Sequence, residues 1–172
     1  MRENTFQELE NLPGLPFTKA TRLGQVQFFH FGRAHVTNAQ GLILDVGAWT
    51  LEVACFWQLE KAGKVAIAYQ DAAIARDAQA LANPDFDPLV PGSNLRDRKL
   101  QELVRQGETH VKVSKVTASP AGEVLISLGA DLVLRVAPSQ GIQKETTYFW
   151  RLFSNTGTNQ TLAFGLDGAQ PS

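Results

Sequence analysis

The sequence predicts an α+β protein: a mostly antiparallel sheet, curled or forming a partly open β-barrel, with a helical insertion packed on it. Three observations carry that expectation. Residues 49–59 alternate, with Trp49, Leu51, Val53, Cys55, Trp57 and Leu59 on one side and Thr50, Glu52, Ala54, Phe56 and Gln58 on the other, the period of two of a half-buried strand. Short turn clusters separate most strand-like runs, and short connections favour antiparallel pairing. Over 71–108 the period changes and helix-forming residues take over. The 172 residues fit one domain, 1–172, long enough to bury a core without disulfides or metal.

The elements follow in order. Residues 1–24 read as an N-terminal arm with a helical turn between Glu3 and Leu12, stopped by Pro13-Gly14-Leu15-Pro16. An aromatic strand over 25–32 holds Phe28, Phe29 and Phe31, and Thr37-Asn38-Ala39-Gln40-Gly41 is a turn. After the strand at 49–59, Lys61-Ala62-Gly63-Lys64 makes a hairpin into Val65, Ile67 and Tyr69. The insertion 71–108 opens with an alanine-rich helix over 71–82, ended by Asn83-Pro84. Ser93 or Asn94 caps a second helix, whose Leu95, Leu100, Leu103 and Val104 lie on one stripe up to Gly107. Strands resume with Val111 and Val113, then Val124, Ile126 and Leu128, then Leu132, Leu134 and Val136. Residues 138–144 read as a loop, 146–153 as a strand, Leu162, Phe164 and Leu166 as an edge strand, and 168–172 as a disordered tail.

Composition narrows the partners. The net charge is −1, which carries no electrostatic footprint for nucleic acid or an anionic membrane. One cysteine, Cys55, allows no internal disulfide and fits a reducing cytoplasm. The N-terminal stretch has no apolar core of a secretion signal, and no apolar run approaches the roughly 18 residues of a membrane helix.

Four segments carry a resemblance. They are Gly14-Leu15-Pro16-Phe17 with Arg22 and Phe28-Phe29-His30-Phe31-Gly32; 51–59 with Gly63 and Asp71; Phe86-Asp87 through Gly92-Ser93-Asn94-Leu95-Arg96-Asp97; and Val136-Ala137-Pro138, Glu145 and Trp150-Arg151-Leu152-Phe153. Together they resemble an uncharacterised family of small bacterial proteins, a domain of unknown function, over roughly residues 13 to 153. The resemblance implies a bacterial, cytoplasmic protein and no particular activity. The family tends to have Pro-Trp-Arg where this chain has Phe56-Trp57-Gln58, and Gln where His30 stands.

Motifs of catalysis are absent. There is no phosphate loop and no nucleophile elbow. His30 and His35 are five apart, on opposite faces of a regular strand, and offer no chelating pair; His110 is the third histidine. Cys55 sits on an apolar face and reads as a core thiol. Asn83-x-Asp85-x-Asp87 begins like a calcium loop, but Pro88 and Asn94 stand where Gly and Glu are needed. Arg151, between Phe149 and Phe153, needs a partner, with Asp97 and Glu145 as candidates. It reads as a tie between insertion and sheet, or as an arginine presented to an anionic ligand or partner. The ligand- or partner-binding candidates are Arg22, His30, Trp57, Asp71, Trp150 and Arg151. No catalytic residue, metal ligand or cofactor is expected.

Two readings follow. The first is a non-catalytic binding protein with another protein as partner. The second is a small-ligand-binding protein or hydrolase with a site in a sheet concavity built from Arg22, His30, Asp71 and Arg151. A pocket with converging polar groups favours the second; a filled interior with an exposed apolar patch favours the first.

Overall fold

The computed structural model describes residues 6–107, 111–129, 131–142, 148–157 and 160–171. In chain order the elements are β1 (Phe17–Leu23), β2 (Val26–Phe31), β3 (Ala34–Thr37), β4 (Ile43–Val46), β5 (Trp49–Val53), β6 (Cys55–Lys61), β7 (Lys64–Ile67), α1 (Ala78–Ala82), α2 (Leu95–Gly107), β8 (Val113–Ala118), β9 (Val124–Leu128), β10 (Leu132–Ile142), β11 (Tyr148–Ser154), β12 (Thr161–Gly165) and β13 (Gly168–Pro171). Short 3-10 turns lie at Gln7–Asn11 and Tyr69–Ala73. The strands form a six-stranded sheet ordered β1-β2-β5-β11-β12-β13, a five-stranded sheet ordered β7-β6-β10-β9-β8, and the β3–β4 hairpin. Every pairing is antiparallel, and the class is α+β as expected.

The alternating run 49–59 is two strands rather than one. Ala54 separates β5 from β6, and its N–H donates to the Phe149 carbonyl at 2.8 Å. The chain there leaves the six-stranded sheet and enters the five-stranded one. The buried side keeps its period: Leu51, Val53, Cys55, Trp57 and Leu59 are all buried. One apolar cluster draws on both sheets, with Phe29, Trp150 and Leu152 from the first and Trp57, Ile126 and Leu134 from the second. Phe29 and Trp57 meet edge to face at 4.9 Å. Trp150 stacks on Phe164 at 5.9 Å and donates its Nε1–H to the Gly122 carbonyl at 2.8 Å. Gly122 has φ +83°, and a Cβ there would run into the Phe164 ring, so both backbone and packing require glycine.

Local rules explain the turns and the long helix. Ala62 (φ 50°) and Gly63 (φ 80°) form the tight β6–β7 turn, the left-handed pair that matches strand twist. The Asn94 Oδ1 accepts the Asp97 N–H at 2.8 Å and caps α2. Leu100 is buried, Leu103 and Val104 pack on the core, and α2 lies against β1 and the Tyr69–Ala73 turn.

Four expectations are corrected. The arm 1–24 contains strand β1, which pairs with β2. A register shift between Phe17 and Lys19 erases its alternation. The run 71–82 is not one helix: it is a 3-10 turn and the five-residue α1. Between them Ala75 bridges Asn94, and Ile74 accepts the Leu95 N–H; alanine propensity without a buried face yields to this pinning. The loop expected at 138–144 is strand β10 as far as Ile142. Of the tail expected to be disordered at 168–172, Gly168–Pro171 forms β13, paired with β12. His110 and Glu145 lie outside the described residues.

Candidate functional site

The six sequence candidates part into three groups. Trp57 and Trp150 are core residues with no exposure. Arg22 and Asp71 are buried ties. Arg22 grips Asp97 with two bonds (Nε–Oδ1 3.1 Å, Nη2–Oδ2 2.7 Å) and donates to the carbonyls of Gly24, Pro88, Leu89 and Val90. Asp71 accepts from the Ala68 N–H (3.0 Å) and from Lys99 Nζ (2.9 Å), fastening the turn before the insertion to α2. Only His30 and Arg151 share a surface: the outer face of the six-stranded sheet.

Register builds that face row by row. Lys19, His30, Thr50 and Phe153 stand side by side on β1, β2, β5 and β11; Thr21, Phe28, Glu52 and Arg151 form the next row. Arg151 therefore meets Glu52, at 3.0 Å from Nε to Oε2; of the two partners expected, Asp97 is held by Arg22 and Glu145 lies outside the described residues. The tie between insertion and sheet is Arg22. Tyr148 donates its hydroxyl to the same Glu52 oxygen at 2.7 Å, because a register shift between Tyr148 and Trp150 turns it to Arg151's side. Arg151 lies 5.2 Å from the Tyr148 ring and 4.8 Å from that of Phe153, a cation held between aromatic faces. Glu52 is thus a buried, paired carboxylate rather than one of the solvated charges its polar strand position suggests.

Over the first row lies a cavity of about 280 Å³ lined by Lys19, Thr21, Phe28, His30, Asp45, Val46, Thr50, Phe153 and Asn155. The β3–β4 hairpin brings Asp45 and Val46 over it. At its floor runs a chain of polar groups. The Asn155 Nδ2 donates to the Gly47 carbonyl (2.9 Å) and to Thr50 Oγ1 (2.7 Å). Thr50 Oγ1 lies 3.3 Å from His30 Nδ1, and His30 Nε2 lies 3.0 Å from Thr21 Oγ1.

The proton count leaves two arrangements of this chain. Thr50 accepts from Asn155 and keeps a second lone pair, so it either donates its hydrogen to Nδ1 or accepts Nδ1–H as well, and Thr21 takes the complementary role at Nε2. In both arrangements one threonine hydroxyl hydrogen, on Thr21 or on Thr50, has no acceptor among the described residues.

Burial, with Lys19 nearby, lowers the His30 pKa from 6.5 to about 4; the ring is neutral at pH 7. Because the folded value lies below the unfolded one, stability is full above about pH 6.5 and declines as pH falls towards 4. Between pH 7.5 and 5.0 the wild type should lose about 1–2 kcal/mol that His30→Gln does not lose, measured by urea unfolding at both pH values. Identical losses would show that the ring titrates normally.

Both His30 nitrogens face hydroxyls, and Glu52 is held by Tyr148 and Arg151. Cys55 is buried, its pKa pushed up to about 12 by that burial, and it does not line the cavity. Among the described residues no group of three or more His, Cys, Asp or Glu side chains is arranged for a metal ion. Asn83 and Asp87 accept from the N–H groups of Asp85 and Leu89, as turn formers do. No helix among the described residues is long and apolar enough to cross a membrane.

Sequence reasoning found His30 but not Thr21, Thr50, Asp45 or Asn155. Thr50 stands on the polar side of the 49–59 alternation, a weak signal; nothing local marks Asn155. Comparisons with protein-family models, with curated proteins and with solved structures each find no match.

Proposed function

We propose that the protein is a non-catalytic binding protein of the bacterial cytoplasm, and that it binds a small ligand in the His30 cavity on the outer face of the six-stranded sheet. The carrying observation is the Asn155–Thr50–His30–Thr21 chain, which leaves one threonine hydroxyl hydrogen undonated in a partly apolar cavity. A polar chain of this kind fixes a ligand's orientation, while Phe28, Val46 and Phe153 supply apolar walls. At 280 Å³ the space is small beside the roughly 300–1,000 Å³ of drug-sized sites. The filled interior supports reading the antiparallel strands as the curled sheet or partly open barrel expected, with the core inside and the site on its outer face.

A thermal-shift screen of small metabolites tests this. At least one compound should raise the Tm of the wild type by several degrees. The same compound should have no effect on Val46→Trp, where the half-buried rim residue becomes a plug. Equal shifts in both proteins would place binding elsewhere. A protein partner is the second reading, favoured by Leu42, Ile43 and Leu44, exposed by 61%, 72% and 42% at the β3–β4 hairpin.

A further inference from the structure

We propose, resting on the reading of the His30 cavity as the binding site, that its ligand is a small zwitterion with an apolar side chain, of the α-amino-acid class. Two charged side chains line the cavity without an ion-pair partner among the described residues: Lys19 on β1 and Asp45 on β4. The neighbouring charges, Glu52 and Arg151, neutralise each other. An anion alone would gain from Lys19 and lose to Asp45, and a cation alone would do the reverse. A molecule carrying both charges satisfies both.

The polar groups are sorted in the same sense. On β1 stands a donor, the Lys19 ammonium, which suits a carboxylate. On β4 and just past β11 stand acceptors, the Asp45 carboxylate and the Asn155 Oδ1. That oxygen accepts no hydrogen bond from the described residues; both side-chain bonds that Asn155 makes use Nδ2. These suit an ammonium. The remaining lining includes Phe28, Val46 and Phe153, which favour an apolar side chain over a bare zwitterion. A volume of 280 Å³ is the space of about nine waters at about 30 Å³ each, enough to seat a molecule of leucine's size. Neutral His30 adds no charge to upset the balance.

The test titrates the full chain by calorimetry at pH 7.5 and low salt with four probes of one skeleton: leucine, 3-methylbutylamine, 4-methylpentanoate and 4-methylpentanamide. Leucine should bind at least tenfold more tightly than the other three. Lys19→Met should lower leucine to the level of the amine, and Asp45→Asn should lower it to that of the carboxylate. Both positions are exposed, and circular dichroism checks that both variants fold. If the amide or a singly charged probe binds as well as leucine, and Val46→Trp abolishes that binding, the zwitterion assignment falls and the cavity remains the site. If none of the four binds, the zwitterion assignment falls too. The metabolite screen with Val46→Trp then decides on the cavity separately.

Discussion

Replacing Arg22 by alanine should cost about 3–5 kcal/mol and release the insertion from the sheet. Breaking a buried ion pair by removing one partner leaves the other charge uncompensated, and that is where the cost arises. The Arg22 and Asp97 side chains are 3% and 8% exposed. Without Arg22, the Asp97 carboxylate keeps, among the described residues, only the N–H of Gly92 at 2.8 Å as a hydrogen-bond donor to its Oδ2. The carbonyls of Pro88 and Val90 lose the guanidinium donor they now share. Arg22→Lys should not rescue, because one ammonium cannot reproduce the two-pronged grip together with the carbonyl contacts. Arg22→Ala/Asp97→Ala should cost clearly less than the sum of the single losses. Arg151→Ala, by contrast, removes a side chain 35% exposed and leaves Glu52 the Tyr148 hydroxyl, so it should cost less, about 1–2 kcal/mol. Urea unfolding of these variants and of Asp97→Ala, with amide exchange over residues 88–97, measures all of this. Equal costs for Arg22→Ala and Arg151→Ala would mean that the insertion is not held at Arg22.

Trp57→Ala should be comparably severe, at about 3–5 kcal/mol. The indole is fully buried and packs edge to face on Phe29. It also carries a second duty. The buried Arg96 guanidinium lies 5.0 Å from the Trp57 ring and 5.1 Å from the Tyr69 ring, and its Nη1 donates to the Tyr69 carbonyl at 3.2 Å. Deleting the indole opens a cavity and strips one aromatic face from a desolvated cation. Trp57→Phe keeps a ring there and should recover more than half of the loss. A Trp57→Ala protein within about 1 kcal/mol of wild type would contradict this packing.

What could be read beforehand follows from how local each rule is. The Ala62-Gly63 turn, the Val124, Ile126 and Leu128 alternation and the Asn94 cap depend on residues within a few positions. They were legible for that reason. Strand β1 was not, because a register shift breaks its pattern; β13 was not, because Gly168–Pro171 has no pattern of its own and forms by pairing with β12. The alanine run misled because propensity is a weak term beside tertiary pinning. At the site, His30 could be nominated as an isolated titratable group. Its partner Thr50 stands 20 residues on, and Asn155 lies 105 residues beyond Thr50. Only the β2–β5 and β5–β11 pairings bring them together. The exchange of roles between Arg22 and Arg151 has the same origin: Asp97 is 75 residues from Arg22, a distance no local pattern spans.

The most direct measurement on the central claim is an amide-shift map of the labelled protein, titrated with the compound that most raises its Tm. Binding in the His30 cavity predicts shifts centred on Lys19, Thr21, His30, Asp45, Thr50 and Asn155, while amides of the insertion around Arg76, Asp85 and Asp87 stay still. Shifts confined to the insertion, with the His30 and Thr50 amides unmoved at saturation, would contradict it.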